Sequence, residues 1–368
     1  MGSTNDSNEN PIDLNKLEKI FKYPRLRLKD EGDIIVEMKD KKIGIISKNI
    51  LNIYETKSYQ KIYEIKTDIN EMIKNVTELD NYDLVIILSN YVIKIYTLKN
   101  EKYELYQIIN DENGYKEKMK IRFNLFFKYK KIYYELKNII KFSNTSFMTM
   151  ANFGFKIYSK VKDSKYKLSF ANENESHDFI NNIYVINENE LIIIYDTYNY
   201  PTSMFGSGNY IFEIDKFDIK TKSIIAKIFY KKESSNKVYH FSDFVILKKK
   251  YLIIILAEKF YIVDIVKNKI KSVTIPSWKY NNNYTYNNKA KIYGFETTND
   301  DIFLLFQDKQ FFVVQFNEKL NNLKIIGSFK YVSINKYISE LSYDDNKSQF
   351  KKIKGDFIIC ENGFINFY

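Results

Sequence analysis

A short apolar motif recurs along this chain, and its recurrence restricts the fold to a repeat architecture. Tyr91-Val-Ile-Lys-Ile-Tyr96 resembles Tyr210-Ile-Phe-Glu-Ile-Asp215. Gly154–Tyr158, Phe260–Asp264, Phe311–Gln315, Phe364–Tyr368 and Leu51–Tyr54 carry the same pattern. The seven copies are anchored on Ile53, Ile95, Ile157, Ile214, Val263, Val314 and Phe367, at spacings of 42, 62, 57, 49, 51 and 53 residues. Fixed-period self-similarity of this length marks one supersecondary unit repeated in space.

The local pattern says what the unit is. Apolar runs of Ile, Val, Tyr and Phe last about five to eight residues and are separated by Asn, Asp, Lys or Gly; that is the signature of strands and turns. In the first unit, strands are predicted at 33–38, 42–47, 50–56 and 60–66, with a Lys-Asp-Lys turn after the first and Lys48-Asn49 after the second. Four strands in about 50 residues is the period of a β-propeller blade. The expectation is therefore an all-β, seven-bladed β-propeller, a single domain over 21–368 after a disordered tail at 1–20. Blades are expected at 33–66, 76–109, 139–170, 179–231, 241–276, 291–330 and 337–368. The chain ends on the third strand of the last blade, so that blade is one strand short. Residues 21–28 are expected to supply it and close the ring, since an open ring leaves an unpaired edge. Pro24 is tolerable on such an outer strand. Two sandwich domains would not need the same motif seven times.

The repeat resembles a degenerate WD40-like β-propeller. The apolar-Lys-apolar-Tyr endings sit where that family ends its third strand in Trp-Asp. The Gly-His signature is absent, and the one Trp, Trp278, lies elsewhere. The resemblance implies a fold and a scaffold role, and no functional residue can be carried over. The excess of Lys, Asn, Ile and Tyr is what an AT-rich genome writes. Divergent propellers of this kind are expected in AT-rich protists and in the large DNA viruses that infect them.

Composition removes most enzyme classes. The single Cys, Cys360, excludes a disulfide framework or thiolate cluster. Two His, His177 and His240, leave little for metal or His-based catalysis. Gly206-Ser207-Gly208 lacks the Gly-Lys-Thr ending of a phosphate loop. The expectation is a protein that is not an enzyme and has no cofactor. The polar N-terminus and the absence of any long apolar run predict a cytoplasmic protein without a transmembrane segment. It is read as a monomer or a part of a larger complex.

The insertions show where such a scaffold binds. Connections from third to fourth strands are short. The long ones, Asn110–Lys137, Asp196–Gly208, Lys231–His240 and Ser277–Ala290, all fall on the opposite face. Asp344–Lys354 is the exception, read as extra length between the first two strands of the last blade. Long loops on a rigid scaffold carry binding. Trp278, Tyr280, Tyr284 and Tyr286 stand among Asn residues in one such loop and are the candidate protein-partner contacts. Lys116, Lys118, Lys120, Arg122, Lys128, Lys130 and Lys131, interleaved with aromatics in another, are candidate contacts for RNA or an anionic membrane surface. The plainer reading of that segment is a solvated strand, with Met119, Ile121, Phe123 and Leu125 facing a core. The net charge of +11 rests on 54 Lys and three Arg, and so few Arg disfavour base-specific reading.

Overall fold

The computed structural model describes residues 26–28, 34–110, 116–123, 126–133, 136–152, 154–161, 165–173, 179–199, 209–234, 241–256, 259–275, 291–294, 302–307, 310–330, 349–353, 356–361 and 364–367. Everything described is strand, turn or loop. Six four-stranded antiparallel sheets are built from consecutive strands, spanning 34–66, 73–110, 136–173, 180–234, 241–273 and 291–330. They are the first to sixth sheets below. A further sheet joins Gln349–Ile353, Asp356–Glu361 and Phe364–Phe367, and its fourth strand is Leu26–Leu28 from the other end of the sequence. There Leu26 pairs with Phe367, Arg27 with Asn366 and Leu28 with Ile365. A separate two-stranded hairpin lies between the second and third sheets.

Each repeated anchor sits in the third strand of its sheet. Ile53, Ile95, Ile157, Ile214, Val263 and Val314 are all essentially inaccessible to solvent. In four sheets the register to the fourth strand slips immediately after the anchor: at Ile53/Tyr54, Ile95/Tyr96, Ile157/Tyr158 and Ile214/Asp215. In the sixth sheet it slips between Val313 and Val314. A β-bulge bends its strand and sharpens the twist, so in these sheets the motif marks the point where the outer strand turns away; in the fifth sheet the register runs through Val263 without a slip.

The core lies between sheets. One apolar cluster joins the first sheet to the second, through Leu51, Ile53, Leu84 and Ile86. Others join second to third through Val85, Ile95 and Phe147, and third to fourth through Phe155, Ile193 and Phe217. The series continues through Phe212, Leu252 and Ile254, then through Ile253, Phe303 and Val314. Central strands are thus apolar on both faces. Leu84–Leu88 and Tyr251–Leu256 are buried at every residue, whereas the fourth strand Lys61–Lys66 is mostly solvated. Apolar runs without alternation follow from burial on both sides.

First strands of neighbouring sheets lie against one another. Ile34–Met38 contacts Ile73–Glu78 on one side and Gln349–Ile353 on the other. Glycine is scarce, so other residues take the left-handed turn positions. Asp40 and Lys41 have φ of 53° and 59°, and Lys248 and Lys249 have 52° and 50°. Two consecutive positive φ values give the turn whose twist matches antiparallel strands.

Three sequence readings need correction. Asp196–Gly208 and Lys231–His240 are not simply loops. The strands Glu190–Asn199, Asn209–Asp218 and Ser223–Ser234 run into them and pair as far as Asn199 with Asn209 and Asn209 with Ser234. These polar stretches satisfy their backbone groups on one another and need no core face. Asp344–Lys354 is no insertion between two strands, because the first strand of its sheet, Gln349–Ile353, lies inside it. Lys116–Phe123 belongs to no four-stranded sheet and pairs with Phe126–Tyr133 instead.

Candidate interaction face

Antiparallel order fixes which connections share an end. Fourth-to-first and second-to-third connections emerge at one end, and the other two classes at the opposite end. Third-to-fourth connections are brief, as at Asn100-Glu101, Ile219–Lys222 and Ile265–Asn268. The extra structure gathers at the first end. The hairpin Lys116–Tyr133 rises there between a fourth strand and a first strand. So does the three-stranded extension of the fourth sheet. Its strands continue about four residues past Tyr195, which pairs with Glu213, a reach of ~13 Å at ~3.3 Å per residue.

The rim at this end repeats a feature with an unread signal. First strands slip register at Ile73/Asn75, Leu136/Asn138, Ile180/Asn182 and Phe241/Asp243. The backbone N–H of Val76, Ile139 and Ile183 donates to the side-chain oxygen of the preceding Asn at 2.7, 2.8 and 2.8 Å. Asn75 also donates to Asn138 across the sheet boundary. The spacing apolar-x-Asn/Asp-apolar was present in the sequence, but frequent Asn hid it. Nearby, Glu71 accepts from Lys94 Nζ at 2.6 Å and from Asn90 at 3.3 Å. The Lys94 hydrogen bond holds the Glu71 carboxyl below its usual range against the opposing effect of burial. Backbone bonds Ile73 N–H to Lys48 O and Ile180 N–H to Asn152 O, both 2.7 Å, stitch consecutive sheets here.

At the opposite end, polar groups are occupied in ties between sheets. Asp83, at 1% exposure, accepts from Lys160 Nζ at 2.7 Å, Tyr166 OH at 2.7 Å and Asn81 Nδ2 at 2.6 Å. Burial alone raises its carboxyl pKa. The bonds from Lys160 and Tyr166 outweigh that, and the net shift is downward. Gln107 clasps the Tyr166 backbone from the second sheet, with bonds of 2.9 and 2.8 Å. Asp80 meets Lys39 and Lys141, from sheets on either side, at 2.9 and 2.6 Å. Glu318 of the sixth sheet accepts from Lys250 and Tyr251 of the fifth at 2.9 and 2.8 Å. Its carboxyl is lowered to about 2, first by Lys250 and then by Tyr251. Partners so far apart in sequence carry no short-range signal, and sequence reading missed them.

None of these carboxylates is set up for acid–base chemistry, since each is held ionised by a fixed cation. Among the described residues no group of three His, Cys, Asp or Glu could hold a metal, and no helix is long and apolar enough to cross a membrane. Trp278, Tyr280, Tyr284 and Tyr286 lie outside the described residues, as do His177 and His240. The seven basic candidates all fall on the hairpin. Lys118 pairs with Lys131, Lys120 with Tyr129 and Arg122 with Phe127.

Structural comparison places this arrangement. The chain superimposes on Raptor from Chaetomium thermophilum with a TM-score of 0.57 and 10% identity, over 92% of this chain and 28% of Raptor. It superimposes on a chain of the mitotic checkpoint complex with a TM-score of 0.59 and 7% identity, over 94% of this chain and 90% of that one. Both are WD40 propeller proteins. The fold is a WD40-like β-propeller. At these identities the likeness shows the fold alone. The chain spans little more than a quarter of Raptor's length. No family model and no curated protein matches the sequence.

Proposed function

We propose that residues 21–368 form one propeller of seven blades, closed by the strand Leu26–Leu28, and that it is a non-enzymatic scaffold binding protein partners at its decorated end. The pairing of Leu26–Leu28 with Phe364–Phe367 supports closure, as does the contact of Ile34–Met38 with Gln349–Ile353. The scaffold reading rests on one contrast. The plain end uses Asp80, Asp83 and Glu318 to tie blades together, while the decorated end adds strands that no blade requires. A cytoplasmic location and assembly into a larger complex go with this reading.

The test uses the tagged full-length chain as bait in native cytosol. Replacing Trp278, Tyr280, Tyr284 and Tyr286 by Ala is expected to weaken partner binding by about 2 kcal/mol, roughly thirtyfold in Kd, with no change in melting temperature. Replacing Lys57, Lys99 and Lys267 by Ala, at the other end, is expected to leave binding unchanged. Equal retention by both variants, or unfolding of the aromatic one, would overturn the assignment of the binding face.

A further inference from the structure

We propose that the plain end of the fifth and sixth sheets docks on an anionic lipid surface, with Val266 and Leu320 as its apolar tips. This goes beyond the scaffold reading and does not depend on it.

Three turns meet at this corner. Lys248–Lys250 joins the first two strands of the fifth sheet, Ile265–Asn268 joins its last two, and Glu318–Asn321 joins the last two of the sixth. Antiparallel order brings all three to the same end, and hydrogen bonds make them one surface. The Ile265 N–H donates to the Lys250 carbonyl at 2.9 Å. Lys250 Nζ donates to Glu318 at 2.9 Å, and Lys271 Nζ to the Asn321 carbonyl at 2.9 Å.

The tips of these turns are apolar and open to solvent. Val266 is 67% exposed and Leu320 64%, and among the described large apolar side chains only Ile69 exposes more. Both turns are held by the same device. Asp264 accepts from the N–H of Val266 and Lys267 at 3.0 and 2.9 Å, and Asn317 accepts from the N–H of Leu320 at 3.0 Å. Around the tips stand Lys248, Lys249, Lys250, Lys267 and Lys319, against Asp264 and Glu318. Glu318 is shared by Lys248 and Lys250, at 3.3 and 2.9 Å. Lys249, Lys267 and Lys319 meet no carboxylate among the described residues. The corner therefore carries an excess of positive charge with two aliphatic side chains at its outermost points.

A cationic surface attracts any polyanion, and the aliphatic tips decide among them. Val266 and Leu320 gain nothing from a phosphate chain or a solvated carboxylate. They gain where interfacial elements bury apolar residues, ~5–10 Å into the boundary between headgroups and acyl chains. The Lys heads then lie at headgroup depth, where each gains from the negative surface potential, and their stems lie along the apolar boundary. A single-stranded nucleic acid would call for exposed rings that stack on bases, and for Arg more than Lys. The rings beside these turns, Tyr251 and Phe316, are buried against each other with centroids 4.8 Å apart, and none of the three Arg lies in these turns. A chain docked this way turns its decorated end away from the membrane.

The experiment is co-sedimentation of the full chain with vesicles of phosphatidylcholine, with and without phosphatidylserine, alongside fluorescent single-stranded RNA and polyglutamate. Binding is expected only to the phosphatidylserine vesicles, and to weaken as salt rises. Lys249→Gln, Lys267→Gln and Lys319→Gln together are expected to cost about fivefold per lysine, while Lys249→Arg, Lys267→Arg and Lys319→Arg together should bind like the parent. Val266→Ser and Leu320→Ser together are expected to cost at least about tenfold at unchanged charge. Thermal unfolding should match the parent in all three variants, since these side chains are exposed. Equal binding to neutral vesicles would overturn the proposal. So would a Val266 and Leu320 variant that binds vesicles like the parent, or RNA or polyglutamate bound as tightly as the vesicles, since these offer charge without acyl chains.

Discussion

Removal of residues 1–30 is expected to lower the melting temperature sharply, whereas removal of 1–15 leaves it unchanged. The longer truncation deletes Leu26–Leu28 and with it all three paired rungs to Phe364–Phe367. Three antiparallel rungs carry two or four ladder hydrogen bonds, each contributing about 1 kcal/mol net, so roughly 2–4 kcal/mol is at stake before any side-chain packing. That is a large share of the 5–15 kcal/mol that holds a typical domain. The truncation also exposes the edge of Phe364–Phe367, and unpaired edges invite association. Aggregation on heating should therefore accompany the loss. Differential scanning calorimetry of the two truncations decides the matter, and equal melting temperatures would contradict the closing role of this strand.

Asp83→Asn is expected to cost about 2–3 kcal/mol, because it removes the charge facing Lys160 and weakens the bond from Tyr166 while both partners stay in place. Lys160 is 28% exposed, which puts the cost below that of a fully buried pair. The effect also has a pH signature. The Asp83 carboxyl is held below its ordinary value in the folded chain, so its contribution is complete above the unfolded-state pKa of about 3.9. It disappears as the pH falls through the lowered folded value. Denaturant midpoints of parent and variant should differ at neutral pH and converge in acid. A constant difference down to acid would mean that Asp83 acts through packing and not through charge.

The parts legible in the sequence were those fixed by local physics. Ile53, Ile95, Ile157 and Ile214 recur because each precedes a bulge inside a strand buried on both faces, and burial of that kind leaves an apolar run that can be counted. Lys39–Lys41 reads as a turn, and within it Asp40 and Lys41 adopt the left-handed backbone. What stayed hidden depends on distance or on polar strands. Asp83, Lys160 and Tyr166 meet across two sheets and up to 83 residues of sequence. Asp196–Asn199 and Lys231–Ser234 pair outside the core, so no apolar alternation announces them. The alternation of Lys118, Lys120 and Arg122 was visible as a strand, but its partner strand was not.

A decorated end is one platform only if the blades form a closed ring. Amide hydrogen exchange along the closing pair measures this directly. In the full-length chain, the amides that donate across the pairing of Leu26–Leu28 with Ile365–Phe367 are expected to exchange as slowly as those of Leu252–Ile255, which lie in a fully buried strand, because both would open only with global unfolding. Exchange of those cross-pair amides as fast as in an unpaired terminus, with Leu252–Ile255 still protected, would contradict a closed propeller.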